Sequence, residues 1–197
     1  MKSLVGVLAC VAVLAGACGS ADGSGTSATV APATTVAPTT TVWVVHTTTL
    51  ETVGDVGRSN SLTIGVDGNP LISHTDISNS DLELYVCDDP ACSSGTNVTL
   101  ETTGSVGWDT SIAIGVDGNP VISHYDDTKE EMELYVCDDP ACSSGTNVTL
   151  VTTGSVGVFS SITIGDDGNP VIAHQEYAKG DLEFAQVMMP VSVVAYQ

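Results

Sequence analysis

The sequence predicts an all-β protein built from three tandem, four-stranded antiparallel units, each 50 residues long. Three observations carry this. Sliding the chain by 50 positions aligns Gly54, Gly104 and Gly154, then Val56, Val106 and Val156, with no insertion or deletion. The blocks SLTIGVDGNPLISH, SIAIGVDGNPVISH and SITIGDDGNPVIAH fall in register, and each alternates Ile with small or polar residues, the two-residue period of a strand. Each block also carries Asp-Gly, a strong hairpin signal, and then a proline where a strand can begin without donating. Repeats of this length belong to architectures in which one unit cannot bury its own face and must stack on its neighbours.

The first residues stand apart from these units. Residues 1–17, MKSLVGVLACVAVLAGA, place one basic residue, Lys2, before an apolar run too short for an ordinary membrane span. This is the build of a signal peptide for export. The run closes on Ala15-Gly16-Ala17-Cys18. These residues resemble the lipobox of bacterial lipoproteins, and the resemblance implies that Cys18 becomes a lipidated N-terminus. The exported chain would then be lipid-anchored on the outer face of a bacterial cell membrane. The leucine usual three places before the cysteine is Ala15 here, with Leu14 one step further out. Residues 18–41, rich in Ala, Thr, Pro and Ser, have little apolar surface to offset the cost of ordering and read as an extended tether. Residues 42–197 are enough for one β-repeat domain, with repeats at about 47–96, 97–146 and 147–197.

In the second unit, strands are expected over residues 111–116, 121–125, 133–137 and 147–152, the last led by the turn residues Ser-Gly-Thr. Val121 and Ile122 put apolar side chains on opposite faces, as in a sheet covered on both sides. LYVCDDPACSSGTNVTL occurs unchanged in the first two units, a mark of duplication. The third reads FAQVMMPVSVVAYQ instead, without cysteines, and its last strand is expected at residues 191–196. Four short antiparallel strands make the blade of a β-propeller. The run S-I-x-I-G-x-D-G-N-P-V-I-S-x-Y-D, followed by D-L-E-L and a short cysteine pair, resembles the propeller-like repeats of large bacterial secreted and lipid-anchored proteins. It is distantly similar to the Asp-box repeats of sialidase-type propellers. The resemblance implies blades and no particular activity. The chain departs from it at His74, His124 and His174, where an aromatic is usual. Closed propellers have about four to eight blades. Three therefore imply an open or incomplete arrangement, with self-association as the next option.

Composition excludes some partners. Four Lys and Arg stand against 24 Asp and Glu, a balance that repels the phosphates of nucleic acid. In an exported chain, Cys87–Cys92 and Cys137–Cys142 read as local disulfides. The competing reading, a four-thiolate zinc site, has looser spacing than usual. His74, His124 and His174 could converge on a common axis as Zn²⁺ ligands, although repetition alone puts any residue in three copies. Asp67, Asp117 and Asp167 are accounted for by turn chemistry. Asp126 and Asp127, with Glu130 and Glu131, offer part of the oxygen shell that Ca²⁺ requires, without an EF-hand pattern. Trp108 and Tyr125, with Asp126 and Asp127, form a candidate ligand loop for a glycan or calcium.

Catalytic motifs are missing. No nucleophile elbow, phosphate loop or dinucleotide fingerprint occurs. A sialidase-type site uses three arginines, and this chain has one, Arg58. The expectation is a non-catalytic, cell-surface binding or scaffolding module that needs no cofactor and meets an extracellular protein or glycan. A Ca²⁺- or glycan-binding propeller module is the alternative, and a glycosidase-type enzyme the remote one.

Overall fold

The computed structural model describes residues 44–188. The leader, Cys18, the tether and the strand expected at 191–196 lie outside the described residues. Within them the chain is all-β, with eleven strands and no helix: β1 (Arg58–Ile64), β2 (Pro70–Asp76), β3 (Asp81–Cys87), β4 (Gly95–Glu101), β5 (Trp108–Ile114), β6 (Pro120–Asp126), β7 (Glu131–Cys137), β8 (Gly145–Val151), β9 (Val156–Ile164), β10 (Pro170–Glu176) and β11 (Asp181–Gln186). They form three antiparallel sheets, ordered β1-β2-β3-β4, β5-β6-β7-β8 and β11-β10-β9, and none closes on itself. The first two units thus have the four strands expected, and the third shows three among the described residues. The first two sheets are offset from the sequence period, because the fourth strand of each lies where the next sequence repeat begins.

The repeated hairpin folds for the reasons its letters suggest. Gly68, Gly118 and Gly168 hold φ near +81 to +86°, a conformation that glycine adopts without a steric penalty. Asp67 Oδ1 accepts from the Asn69 N–H at 3.0 Å, and Asp117 and Asp167 repeat the bond on Asn119 and Asn169. Pro70, Pro120 and Pro170 open β2, β6 and β10, where no ladder donor is required.

The expected start at residue 111 is three residues late, because β5 runs back to Trp108 through a bulge. The bulge recurs in all three units, with Ser59, Asp109 and Phe159 at positive φ. Polar and aromatic letters there break the alternation on which a sequence reading depends. The bulge also leaves a carbonyl for the next sheet. Ser59 O accepts from Thr110 Oγ1 at 2.7 Å, and Asp109 O accepts from Ser160 Oγ at 2.9 Å.

The sheets stack in series through two joints built from the same register positions. At the first, Leu71, Leu82 and Leu84 of one sheet meet Val106, Ile112, Ile122 and Tyr135 of the next, all buried. At the second, Val121, Met132 and Leu134 meet Val156, Ile162 and Ile172. Full burial of each such side chain stabilises by about 1.5–3 kcal/mol. Hydroxyl pairs fix the alignment: Ser73 with Thr110 at 2.9 Å, and Ser123 with Ser160 at 2.8 Å. Every residue of β6 is buried, as expected for a sheet covered on both faces.

Candidate functional site

Both cysteine pairs form the expected disulfides, Cys87–Cys92 and Cys137–Cys142. Bonds of this kind mark a chain made for an oxidising compartment outside the cytoplasm.

The three histidines are strand residues with inward side chains. His74 and His124 share one arrangement. The Gly57 and Gly107 amides donate to their Nδ1 atoms, each at 3.4 Å. That leaves Nε2–H to donate to Asn97 Oδ1 at 3.3 Å and to Asn147 Oδ1 at 3.1 Å. His174 lacks this support, and its buried Nδ1 has no hydrogen-bond partner. Burial is the main influence on His124 and pushes its imidazole below the ordinary range, against the opposing pull of Asn147, Glu133, Asp126 and Glu101. The structure does not gather the three imidazoles. His74 and His124 bond within their own sheets, and no group of metal-ligating atoms among the described residues contains two of the three.

One histidine does join a ligand-like group. Glu51, His74 and Glu83 bring one potential ligand atom each to within 4.8 Å of one another. His74 Nε2 lies 3.6 Å from Glu51 Oε2 and 3.9 Å from Glu83 Oε2. Burial, then the charge of Glu83, pushes the Glu51 carboxyl above its ordinary range. A depression of about 350 Å³, lined by Leu62, Ile72 and Tyr85 among others, opens onto Glu51 and His74. Glu51 precedes the first strand and no repeat logic paired it with His74, so the sequence reading missed it. The available signal was a Glu at the same place in the first two repeats, Glu51 and Glu101.

The candidate ligand loop is divided. Trp108, Tyr125 and Asp127 line one depression of about 250 Å³, with Asp109 and Val158. Asp126 points elsewhere and is fully buried. Its Oδ1 accepts from the Thr128 and Lys129 amides, and its Oδ2 pairs with Lys129 Nζ at 2.8 Å. Asp76 caps the same turn in the first sheet through the Ser78 and Asn79 amides. These acidic residues close hairpins, so alternation past the histidine marks structure here.

The two ends of the stack differ from its middle. On the outer face of the third sheet, Leu182 is 85% exposed and Phe184 70%. Their register equivalents Leu82, Leu84, Met132 and Leu134 are buried in the two joints. At the other end Leu62 is 58% exposed, whereas its equivalents Ile112 and Ile162 are buried.

The sequence matches no protein-family description and no curated protein. Among solved structures, it is similar to an endo-arabinase from Bacteroides thetaiotaomicron VPI-5482, at 16% identity and a TM-score of 0.44, over 68% of this chain and 56% of that one. The chain thus spans little more than half of that enzyme. It is also similar to a fucose lectin from Kordia zhangzhouensis in complex with methyl-fucoside, at 10% identity and a TM-score of 0.41, over 66% of this chain and 98% of the lectin. Likeness at this level says nothing about what this chain binds or converts.

Proposed function

We propose that the chain is a non-catalytic scaffolding module, exported and lipid-anchored through Cys18, whose three-blade stack is completed by a second copy of itself. The observation that carries this is the exposure of Leu182 and Phe184 at positions that every internal joint buries. Exposed apolar sheet faces mark interaction sites. The face that would receive them, around Val56, Leu62, Ile72 and Tyr85, repeats the positions of Val106, Ile112, Ile122 and Tyr135, which receive the first joint. Two head-to-tail contacts between two copies would make six blades, within the range of closed propellers. This contact would be weaker than an internal joint. The hydroxyl pair Ser73–Thr110 has Ala173 and Asn60 at the corresponding positions, so its hydrogen bond is lost.

The test is the mass of the Cys18→Ser chain by sedimentation equilibrium. A dimer that separates on dilution is expected, and Leu182→Asp with Phe184→Asp should yield a folded monomer. A wild-type chain that stays monomeric at high concentration, or grows into open polymers, would sink the closed pair.

A second reading rests on the Trp108–Tyr125–Asp127 depression. An aromatic platform beside a carboxylate suits the apolar face and hydroxyls of a sugar. Titration of Trp108 fluorescence with simple glycans checks it, and Trp108→Ala should abolish any response.

A further inference from the structure

We propose that Glu51, His74 and Glu83 form a binding site for one divalent transition-metal ion of the Zn²⁺ class in the first sheet. All three ligands come from one chain, so the site does not depend on assembly.

The carboxylates are already oriented. Glu51 Oε1 accepts from Asn97 Nδ2 at 3.2 Å, and Glu83 Oε1 accepts from Thr99 Oγ1 at 3.2 Å. Each therefore turns its other oxygen toward His74. Those two atoms, Glu51 Oε2 and Glu83 Oε2, are buried and have no hydrogen-bond partner. The Glu83 side chain is only 7% exposed, and a buried acceptor without a partner is rare in folded proteins. Hydrogen bonds that fix the remaining oxygen of a carboxylate are the usual support around a bound metal.

The second sheet shows what the first one lacks. There Lys129 Nζ lies 2.9 Å from Glu133 Oε1 and 2.8 Å from Asp126 Oδ2, so both acids share one ammonium. Glu133 Oε2 meanwhile accepts from Asn147 Nδ2 at 2.7 Å. Glu101, the counterpart of Glu51, instead caps the Thr102 and Thr103 amides. In the first sheet the residue in register with Lys129 is Asn79, which bonds Asp76 and carries no charge. Among the described residues, no lysine or arginine pairs with Glu51, Asp76 or Glu83. Ahead of the third sheet, Val151 at the end of β8 stands in register with Glu51. The deficit of positive charge is therefore specific to the first sheet, where a second glutamate also faces the histidine.

The donor set defines the ion. One imidazole nitrogen and two carboxylate oxygens suit Zn²⁺ and neighbouring first-row metals, whereas Ca²⁺ takes oxygen ligands only. Ligand bonds of about 2.0–2.2 Å place tetrahedral donors roughly 3.3–3.6 Å apart; Nε2 lies 3.6 Å and 3.9 Å from the two carboxylate oxygens, so a small inward turn of Glu83 would complete the set. The Glu51 side chain is 22% exposed at the depression, which gives the ion an entry and leaves room for a water as fourth ligand. Coordination by Nε2 gives up its hydrogen bond to Asn97 Oδ1, at 3.3 Å, and moves its proton to Nδ1. The bond lost there, from the Gly57 amide, is long at 3.4 Å, and Gly57 is exposed with open space beside it.

The test is equilibrium dialysis of the full chain against Zn²⁺ after chelator treatment, repeated with Co²⁺ as a coloured probe. One tightly held ion per chain is expected, with a tetrahedral Co²⁺ spectrum. Glu83→Gln should weaken binding at least about tenfold, while leaving the fold intact because it removes an unpartnered oxygen. Asn79→Lys should displace the ion in the same measure and raise the unfolding temperature of the metal-free chain, by installing the second sheet's ammonium. His124→Gln should leave Zn²⁺ binding unchanged. Binding that survives both Glu83→Gln and Asn79→Lys would belong to surface carboxylates and overturn the site. So would a chain that takes up no ion at neutral pH.

Discussion

A β-carbon added to Gly107 would lie 2.7 Å from the Cα of Leu82, so the turn leading into the second sheet rests on the backbone of the first. Gly157 stands in the same relation to Met132, whose Cα would be 2.9 Å away. Gly57, with no sheet before it among the described residues, has nothing within 4 Å. All three glycines hold positive φ.

These three positions separate backbone strain from inter-sheet contact. Alanine at Gly57 should cost only the strain, about 1–2 kcal/mol. Alanine at Gly107 adds the displacement of one sheet from another, about 1–3 kcal/mol more. Urea unfolding of the dilute Cys18→Ser chain carrying each substitution checks the difference. Equal losses would mean that the joint yields without penalty.

Lys129 provides a second measurement. Its ammonium is held well above the ordinary lysine range, first by the hydrogen bonds to Asp126 and Glu133. The two carboxylates are fully buried, while the lysine side chain is 43% exposed. Breaking a fully buried pair costs about 3–5 kcal/mol. Water beside Lys129 screens part of the interaction, so Lys129→Met should cost less, about 1–2 kcal/mol. A thermal shift within error of wild type at neutral pH would contradict this.

The contrast between Lys129 and Asn79 shows what a sequence can and cannot disclose here. The sheets were legible because Asp-Gly, Asn and Pro fix a hairpin through local chemistry, and because Val121 and Ile122 announce burial on both faces. The disulfides were legible because five-residue spacing in an exported chain leaves few other options. The bulge at Asp109 was not, since it depends on a carbonyl offered to the following sheet. The histidines were visible as a set, yet the surroundings of His74 come from Glu51, Asn97 and Glu83, which arrive from a preceding loop and from β4 and β3. Near-identical repeats hide such differences: sites that read alike diverge through one letter in the hairpin turn, lysine or asparagine.

His124 leads to a prediction about acid. Buried among Glu133, Asp126 and Glu101, it is nonetheless held neutral, because desolvation outweighs their attraction. Its Nδ1 accepts from the Gly107 amide and its Nε2–H donates to Asn147, an arrangement that a second ring proton would destroy. With the folded pKa below the unfolded value of 6.5, the unfolded chain binds the extra proton first as pH falls. This histidine's share of stability is therefore complete above that value and is lost progressively below it. Carboxylates titrate at lower pH and add their own loss, so a control is needed. His124→Gln keeps an N–H donor for Asn147 and cannot take up a proton. Between about pH 7.5 and pH 5.5, the wild-type urea midpoint should fall further than that of the variant. Parallel declines would show that His124 takes up its proton within the folded sheet as readily as it does in the unfolded chain.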